Sequence, residues 1–374
     1  MQILLFSFAF LIIISIFFKR ENLKYYFLIV SLVLAVLAFL YVPNSKMDLY
    51  RHYTMLDMTR IYGFDYIMTS DDYKSLPVIG IYMYLISLLN CNSFLPGITA
   101  FIVYKLSLDI VYLSGIKYNS SKSGMLLAAY FYIGTANYLG TISGIRNPLA
   151  ITIFIYLLYI ELIEKKHIKL CWIGYLMTCL IHVSMVLPLV LRISVYLYKR
   201  FTKTIIKVAL ICWSVFLPII MNILSSLSGI PLIGLLVTKM NSYDSEEANA
   251  VANVSLYTAV YSTIVIVTII VFIYYGVRVI KVEKGIDKDF FNFCVLITCY
   301  VIGSINSYHV FVRMTRVLVL LSIPIITYLN KKEILIYKKG YINIREIIFL
   351  IILMESTIFM AFLFHGQYMF YTIS

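Results

Sequence analysis

Residues 2–18 read QILLFSFAFLIIISIFF, and after the basic residues Lys19, Arg20 and Lys24 the chain continues as YYFLIVSLVLAVLAFLYV over residues 25–42. Each apolar stretch is long enough to cross the hydrocarbon core of a bilayer, roughly 30 Å, as an α-helix. Further apolar stretches follow along the chain, again separated by short connectors. This alternation is typical of a helical protein that crosses a membrane many times.

The composition leads to the same interpretation. Apolar residues make up 62% of the 374 residues, charged residues make up 13%, and the mean hydropathy is +0.92. A water-soluble domain of this composition would expose too much apolar surface, so we predict one transmembrane domain over residues 1–374. The net charge of +13 lies mostly in short connectors beside apolar spans, and no nucleic-acid partner is expected. The six cysteines have neither metal-ligand spacing nor a disulfide framework.

The apolar segments predict an all-α, polytopic membrane bundle of about 11–13 spans. Residues 77–92 contain only a short apolar run, which fits a re-entrant or interfacial helix about as well as a crossing, whereas residues 170–198 are too long for one span and short for two. Outer loops are expected at residues 43–76 and 225–254. The assigned spans are residues 2–18, 25–42, 94–114, 124–141, 147–163, 208–224, 255–277, 289–308, 310–329 and 347–364.

Lysine and arginine in the connectors predict which ends of the spans face the cytoplasm. The basic connectors are residues 19–24, 165–169, 199–207, 281–288 and 331–345. By the positive-inside rule all of them are cytoplasmic. The stretch 170–198 therefore goes out and returns, with its turn near His182. The same parity places Arg146 and the first outer loop outside, and residues 117–122 are inside only if the short helix before them does not cross.

The first outer loop contains the stretch DLYRHY at residues 48–53, in which acid, base and aromatic side chains alternate. Asp48 and His52 are four residues apart, so a helix would present a carboxylate and an imidazole on the same face. The alternative is an amphipathic helix that lies on the lipid headgroups.

Two polar residues lie where membrane proteins usually avoid them. Arg146 stands at the outer entrance of a span whose first turn contains Pro148, and a guanidinium beside free helix N–H groups is an anion site. The alternative is an interfacial, snorkelling arginine. His182 lies in the apolar run LIHVSMVLP and is either a proton-transfer group or a hydrogen-bonded structural histidine.

A second basic site is expected in the span at residues 310–329. Arg313 and Arg316 are three residues apart, so a helix places both guanidiniums on one face. Two such cations in an apolar helix require an anion, which is either a carboxylate or a phosphate. Lys105 and Asp109, four residues apart in another span, are expected to neutralise each other as a structural pair.

Taken in order, these residues resemble the EpsG-type, Wzy-like family of bacterial polysaccharide polymerases. An early outer segment with Asp and Tyr, DLYRHY, is followed by a span that opens with GIRNPLA at residues 144–150. A Lys-rich turn, EKKHIK at 164–169, then precedes an apolar helix that carries His-x-Ser at 182–184. The resemblance is continuous over about residues 40–200, and where many relatives have Gln after the Arg, this chain has Asn147.

The resemblance implies glycosyl transfer at the outer face of the bacterial cytoplasmic membrane, which joins repeat units carried on undecaprenyl diphosphate into capsule, O-antigen or exopolysaccharide. Neither a metal nor a nucleotide or other cofactor is expected. Arg146, Arg313 and Arg316 would neutralise the diphosphate. The acceptor hydroxyl would lose its proton to His182 or Asp48, with His182 preferred. Sugar ligands would be Tyr50, Arg51, His52, Tyr53 and His309.

Two other functions use the same features. A flippase for lipid-linked oligosaccharide would be favoured by inverted repeats, and the sequence has no evident internal symmetry. A glycan ligase would share the diphosphate-binding groups, so the sequence separates it poorly from a polymerase. Expected partners are the lipid-linked oligosaccharide, membrane lipid, and flippase and chain-length regulator proteins.

Overall fold

The computed structural model describes residues 2–45, 47–136, 138–197, 203–213, 223–230, 233–234, 237–238, 288–304 and 308–330. These residues form α-helices and short connections, as the all-α prediction requires. The helices are α1 (Gln2–Phe17), α2 (Leu23–Phe39), α3 (Asp48–Tyr62), α4 (Phe64–Thr69), α5 (Pro77–Ser87), α6 (Phe94–Lys117), α7 (Lys122–Thr135), α8 (Tyr138–Ser143), α9 (Arg146–Leu158), α10 (Ile168–Ile181), α11 (Val186–Leu197), α12 (Lys203–Ile211), α13 (Lys288–Gly303) and α14 (Tyr308–Leu329).

Several of these helices have the length and hydropathy of membrane spans. Among the described residues, four segments are long and apolar enough to cross: Arg20–Phe39, Phe94–Lys117, Arg146–Glu164 and Val310–Leu329. Shorter apolar helices accompany them, and the prediction of a multi-pass helical membrane protein is confirmed. The predicted spans at 255–277 and 347–364, and most of the outer loop at 225–254, lie outside the described residues. The predicted number of spans therefore stays a prediction.

Helix α6 is the centre of the described bundle and packs along α2, α9 and α14. Small residues allow this close packing: a Cβ atom added to Gly97 would lie 3.2 Å from the Cβ of Phe39 on α2. Ser107 and Ser114 bury their hydroxyls, and each donates to a carbonyl one turn earlier in the same helix. Such self-satisfied small residues are typical of helix contacts within a membrane.

The span predicted at residues 124–141 is wrong in its extent. Helix α7 has 14 residues and ends at Thr135, Ala136 is extended, and the chain resumes as the short helix α8. Gly134 and Gly140 flank this break, and glycine is a poor helix former because it loses much backbone freedom on ordering. The hydroxyl of Tyr138 donates to a carbonyl of α2 at 2.8 Å and so anchors α8 to the bundle.

Contacts between connectors identify the helix ends that share one end of the bundle. The Arg20 guanidinium donates to the carbonyl of Ser120 at 2.8 Å, and the Lys117 ammonium donates to the carbonyl of Ile163. The first two basic connectors therefore lie at the same end as residues 117–122, which agrees with the predicted parity. We call this the basic end.

The stretch predicted to go out and return forms α10 and α11, which are separated by a break at His182. Asn147, at the start of α9, bonds Ser184 just after the break at 3.1 Å. Glu161, near the basic end, bonds Arg192 in α11. Helix α11 therefore runs back toward the basic end, and the predicted turn near His182 is confirmed.

Helix α5 is the short helix expected at residues 77–92, and its 11 residues are too few to cross a membrane. It packs against α3 and α10. The Arg60 guanidinium on α3 donates to the carbonyl of Ser87 at 2.9 Å, and the Leu49 N–H donates to the Ser143 hydroxyl at 3.3 Å. Helices α3, α4 and α5, with the turns between them, thus form a helical cap at the end opposite the basic connectors.

Candidate functional site

Arg146 lies where the helical cap meets the start of α9. Its Nη1 donates to the carbonyl of Asp72 at 3.2 Å and lies 3.9 Å from the carboxylate of the same residue. Its guanidinium carbon is 5.4 Å from the centre of the Tyr73 ring, within cation–π distance. The Arg146 side chain is only 18% exposed, whereas Asp72 is more than half exposed, so this ion pair is weak. The charge of Arg146 is thus partly buried and only partly compensated.

Two of the N–H groups at the start of α9 are already bonded within the chain. The N–H groups of Asn147 and Leu149 donate to backbone carbonyls three and four residues earlier, at 3.2 and 3.3 Å, and Pro148 has no N–H. Ile145 has a φ of 21°, which is rare for a β-branched residue, and the chain turns there into α9. An anion site here would depend on the guanidinium rather than on open amides.

A chain of polar side chains joins three elements at the same end of the bundle. The Arg316 guanidinium on α14 donates to Asn147 Oδ1 at 3.4 Å, and Asn147 Nδ2 donates to the Ser184 hydroxyl at 3.1 Å. The Ser184 hydroxyl is 2.8 Å from Nδ1 of His182. The structure therefore brings the predicted residues Arg316 and His182 to two sides of Asn147, which sequence reasoning did not select. In the sequence, Asn147 was marked only by its position directly after Arg146.

The hydrogen bonds of His182 determine which ring nitrogen carries the proton. The Ser184 N–H also donates to Nδ1, at 3.1 Å, and a nitrogen that accepts from an amide has no proton of its own. The neutral ring in this arrangement carries its proton on Nε2. Nδ1 is occupied by donors and Nε2 is protonated, which disfavours the expected role of His182 as a general base. In this tautomer Nε2 of His182 is a hydrogen-bond donor.

The DLYRHY stretch forms the start of α3, and its side chains differ in exposure. Asp48 pairs with Arg51 on the exposed side of the helix. His52 points inward, is 7% exposed, and its Nδ1 lies 3.0 Å from the hydroxyl of Tyr73. Burial first, and then the nearby Arg146, lower the pKa of His52 to about 4, so its ring is neutral. Asp48 and His52 lie one turn apart on α3 but differ in exposure, and burial argues against His52 as a sugar ligand.

The remaining predicted residues differ in their exposure. Tyr50 is exposed on α3, whereas burial raises the pKa of the half-buried Tyr53 to about 12. Arg313 is half-buried on α14, one turn before Arg316. The side chain of His309 lies outside the described residues.

A second buried cluster, which sequence reasoning missed, lies toward the basic end, where α9 continues as a π-helix over Tyr159–Glu164. Arg192 donates to the Glu161 carboxylate from Nε at 3.0 Å and from Nη2 at 2.6 Å, and the Tyr175 hydroxyl donates to it at 2.6 Å. Glu161 and Arg192 are 5% and 6% exposed. The guanidinium also lies 5.3 Å from the Trp172 ring centre. In the sequence, this cluster was indicated by one acidic and one basic residue in neighbouring apolar stretches.

Two other sequence expectations concern charge pairing and metals. Lys105 and Asp109 form an ion pair along α6, as predicted. Within the part of the chain that the structure describes, no group of three His, Cys, Asp or Glu residues is placed to hold a metal ion. The expectation that the protein needs neither a metal nor another cofactor stays a prediction.

The family comparison covers most of these elements. A family model described as the EpsG family matches residues 79–373. The chain belongs to the EpsG family. The resemblance inferred from the ordered motifs is thereby confirmed. Arg146, His182 and Arg316 lie inside the EpsG-family range, which begins within α5, whereas α3 and Tyr73 precede it. No curated protein and no solved structure matches the chain.

Proposed function

We propose that this EpsG-family protein is a glycosyltransferase of the bacterial cytoplasmic membrane. It polymerises oligosaccharide repeat units, carried on undecaprenyl diphosphate, at the outer face of that membrane. The observation that carries the proposal is the convergence of Arg146, Asn147–Arg316 and Ser184–His182 at the end of the bundle opposite the basic connectors. A lipid diphosphate carries its charge at the membrane surface, where partly buried guanidiniums can bind it.

The three arginines suit the departure of the diphosphate. In the proposed step the acceptor hydroxyl attacks the anomeric carbon, and the bond from that carbon to the diphosphate oxygen breaks with its electron pair on oxygen. Negative charge therefore grows on the leaving group, and Arg146, Arg313 and Arg316 offset it. Arg146 is well suited because the carboxylate of Asp72 is 3.9 Å away and solvated, so an anion can still compete for its charge.

We assign His182 and Asp48 different parts of the same step. His182 donates a hydrogen bond from Nε2 to the leaving oxygen, because Nδ1 accepts from Ser184. Asp48, on the exposed face of α3, accepts the proton that the acceptor hydroxyl releases. Glycoside chemistry proceeds through an oxocarbenium-like transition state, so a weak base suffices. Tyr50 supplies exposed aromatic surface for a sugar ring.

The distribution of polar groups favours an enzyme over a flippase. A flippase needs a polar path through both leaflets. Among the described residues, the charges on the spans below the site form pairs: Lys105 binds Asp109 and Arg192 binds Glu161. A flippase and a chain-length regulator are proposed as neighbouring proteins that deliver units and control polymer length.

The lipid-linked oligosaccharides of cells that lack this gene test the proposal. The polymerase assignment predicts single repeat units at the outer face, no ladder of longer chains, and recovery of the ladder with the wild-type gene. Units trapped on the cytoplasmic face would instead identify a flippase. Long chains that form on the lipid but do not reach their final acceptor would identify a ligase.

A further inference from the structure

Tyr73 is a buried aromatic residue in the turn between α4 and α5, six residues before the EpsG-family range begins. It is 1% exposed, and its ring lies against the guanidinium of Arg146. Its hydroxyl lies at hydrogen-bond distance from His52, which is itself buried on α3. The Tyr73 side chain thus contacts His52 through its hydroxyl and Arg146 through its ring.

An arginine at a membrane surface needs such contacts to keep one orientation. Its long side chain has many rotamers and tends to snorkel toward the headgroups. Here two consecutive residues restrict it, since the Asp72 carbonyl accepts from Nη1 at 3.2 Å and the Tyr73 ring lies against the guanidinium. Both contacts come from the same turn, so the position of that turn sets the position of the charge.

The chemistry of the contact matters as much as its geometry. Burial raises the pKa of the Tyr73 phenol to about 12, against an opposing effect of Arg146, so the ring is neutral. A neutral aromatic face attracts a guanidinium without cancelling its charge, whereas a buried carboxylate in the same place would form an ion pair. His52 is also neutral and can hold the Tyr73 hydroxyl without adding charge.

We propose that Tyr73, held by His52, is a positioning residue that orients the Arg146 guanidinium toward the diphosphate of the lipid-linked donor. The inference rests on the proposed function. It adds two residues of the helical cap, which precede the family match, to the groups that determine how the donor binds. Tyr73 does not touch the substrate and acts through Arg146.

Binding of undecaprenyl diphosphate to the purified full-length protein in lipid nanodiscs tests the inference. Arg146→Ala should weaken binding about 100-fold, because a charge-assisted pair with the diphosphate is lost. Tyr73→Leu should weaken it about 10-fold through loss of the cation–π contact, whereas Tyr73→Phe keeps the ring and should stay within about threefold. Lys74→Ala is the matched control, because Lys74 is exposed in the same turn, and should bind like the wild type.

A double-mutant cycle separates positioning from general damage. If Tyr73 acts through Arg146, Tyr73→Leu has no further effect on binding in the Arg146→Ala background. Equal losses in both backgrounds, or wild-type binding by Tyr73→Leu, would overturn the inference while leaving the diphosphate site intact. If Tyr73→Leu does not fold, His52→Leu replaces it and should weaken binding about threefold, again only when Arg146 is present. Equal binding by the wild type and Arg146→Ala would overturn the diphosphate site itself.

Discussion

Arg146 is partly buried at the helical cap and Arg192 is buried toward the basic end, and the groups that surround the two guanidiniums differ. Arg192 donates two hydrogen bonds to the Glu161 carboxylate, which also accepts from Tyr175. Arg146 contacts a carbonyl, an aromatic ring and a more distant, exposed carboxylate.

The difference indicates which arginine holds the fold together and which can bind a ligand. A buried guanidinium with a bidentate carboxylate is satisfied, and breaking the pair leaves an uncompensated charge in the bundle. A guanidinium held in place by neutral groups keeps the capacity to bind an anion. We therefore propose that Arg192 contributes to stability and that Arg146 binds the substrate.

Removal of Arg192 should have the largest effect on stability. Arg192→Ala leaves Glu161 buried without its cation, which costs about 3–5 kcal/mol. We expect a much lower unfolding temperature in detergent, but near-normal polymer formation per folded molecule. The matched control, Arg192→Met with Glu161→Gln, removes both charges and should recover much of the loss. Equal stability of Arg192→Ala and the wild type would contradict the assignment.

Low pH should reduce the stability of the folded protein through His52, which lies in the helical cap. Its pKa in the folded protein is about 4, below its ordinary value of about 6.5, so the unfolded chain binds an extra proton as the pH falls through this window. Above about pH 6.5, His52 therefore does not change the free energy of unfolding. Below that pH it lowers the free energy of unfolding progressively, by roughly 3 kcal/mol at pH 4. Unfolding temperatures from pH 4 to 7 should fall less steeply for His52→Gln than for the wild type. Parallel curves would exclude this contribution.

The proton position on His182 can be tested with two amides. If His182 donates from Nε2, His182→Ala should lower polymer formation about 100-fold, the typical effect of losing one donor to a developing anion. The amide nitrogen of Gln can approach the place of Nε2, so His182→Gln should retain more activity than His182→Asn. If His182 is instead the base, both amides should be as inactive as Ala.

Asn147 should show a smaller effect of the same kind. Asn147→Ala removes the acceptor for Arg316 and the donor to Ser184, and we expect polymer formation to fall about tenfold. Asn147→Gln, which keeps both functions on a longer side chain, should fall less. A wild-type chain-length ladder for Asn147→Ala would remove this residue from the site.

The sequence predicted the features that depend on length and charge asymmetry. Apolar stretches defined the spans near α2, α6, α9 and α14, and the basic connectors correctly grouped the ends that meet near Ser120. It did not predict which way α3 faces, because the spacing of Asp48 and His52 gives their relative angle and not the side that packs on the bundle. The Glu161–Arg192 pair was missed because its residues lie on different helices and meet only through packing.

The chain-length ladder of lipid-linked oligosaccharide in cells that carry Arg146→Ala tests the central assignment most directly, with the amount of folded protein matched to that of the wild type. We predict single repeat units at the outer face and at least about 100-fold less polymer. Arg146→Lys should give an amount of polymer between that of Arg146→Ala and that of the wild type, because Lys keeps the charge but not the planar, paired N–H donors of the guanidinium. An unchanged ladder in Arg146→Ala cells would contradict the assignment of Arg146 to the substrate.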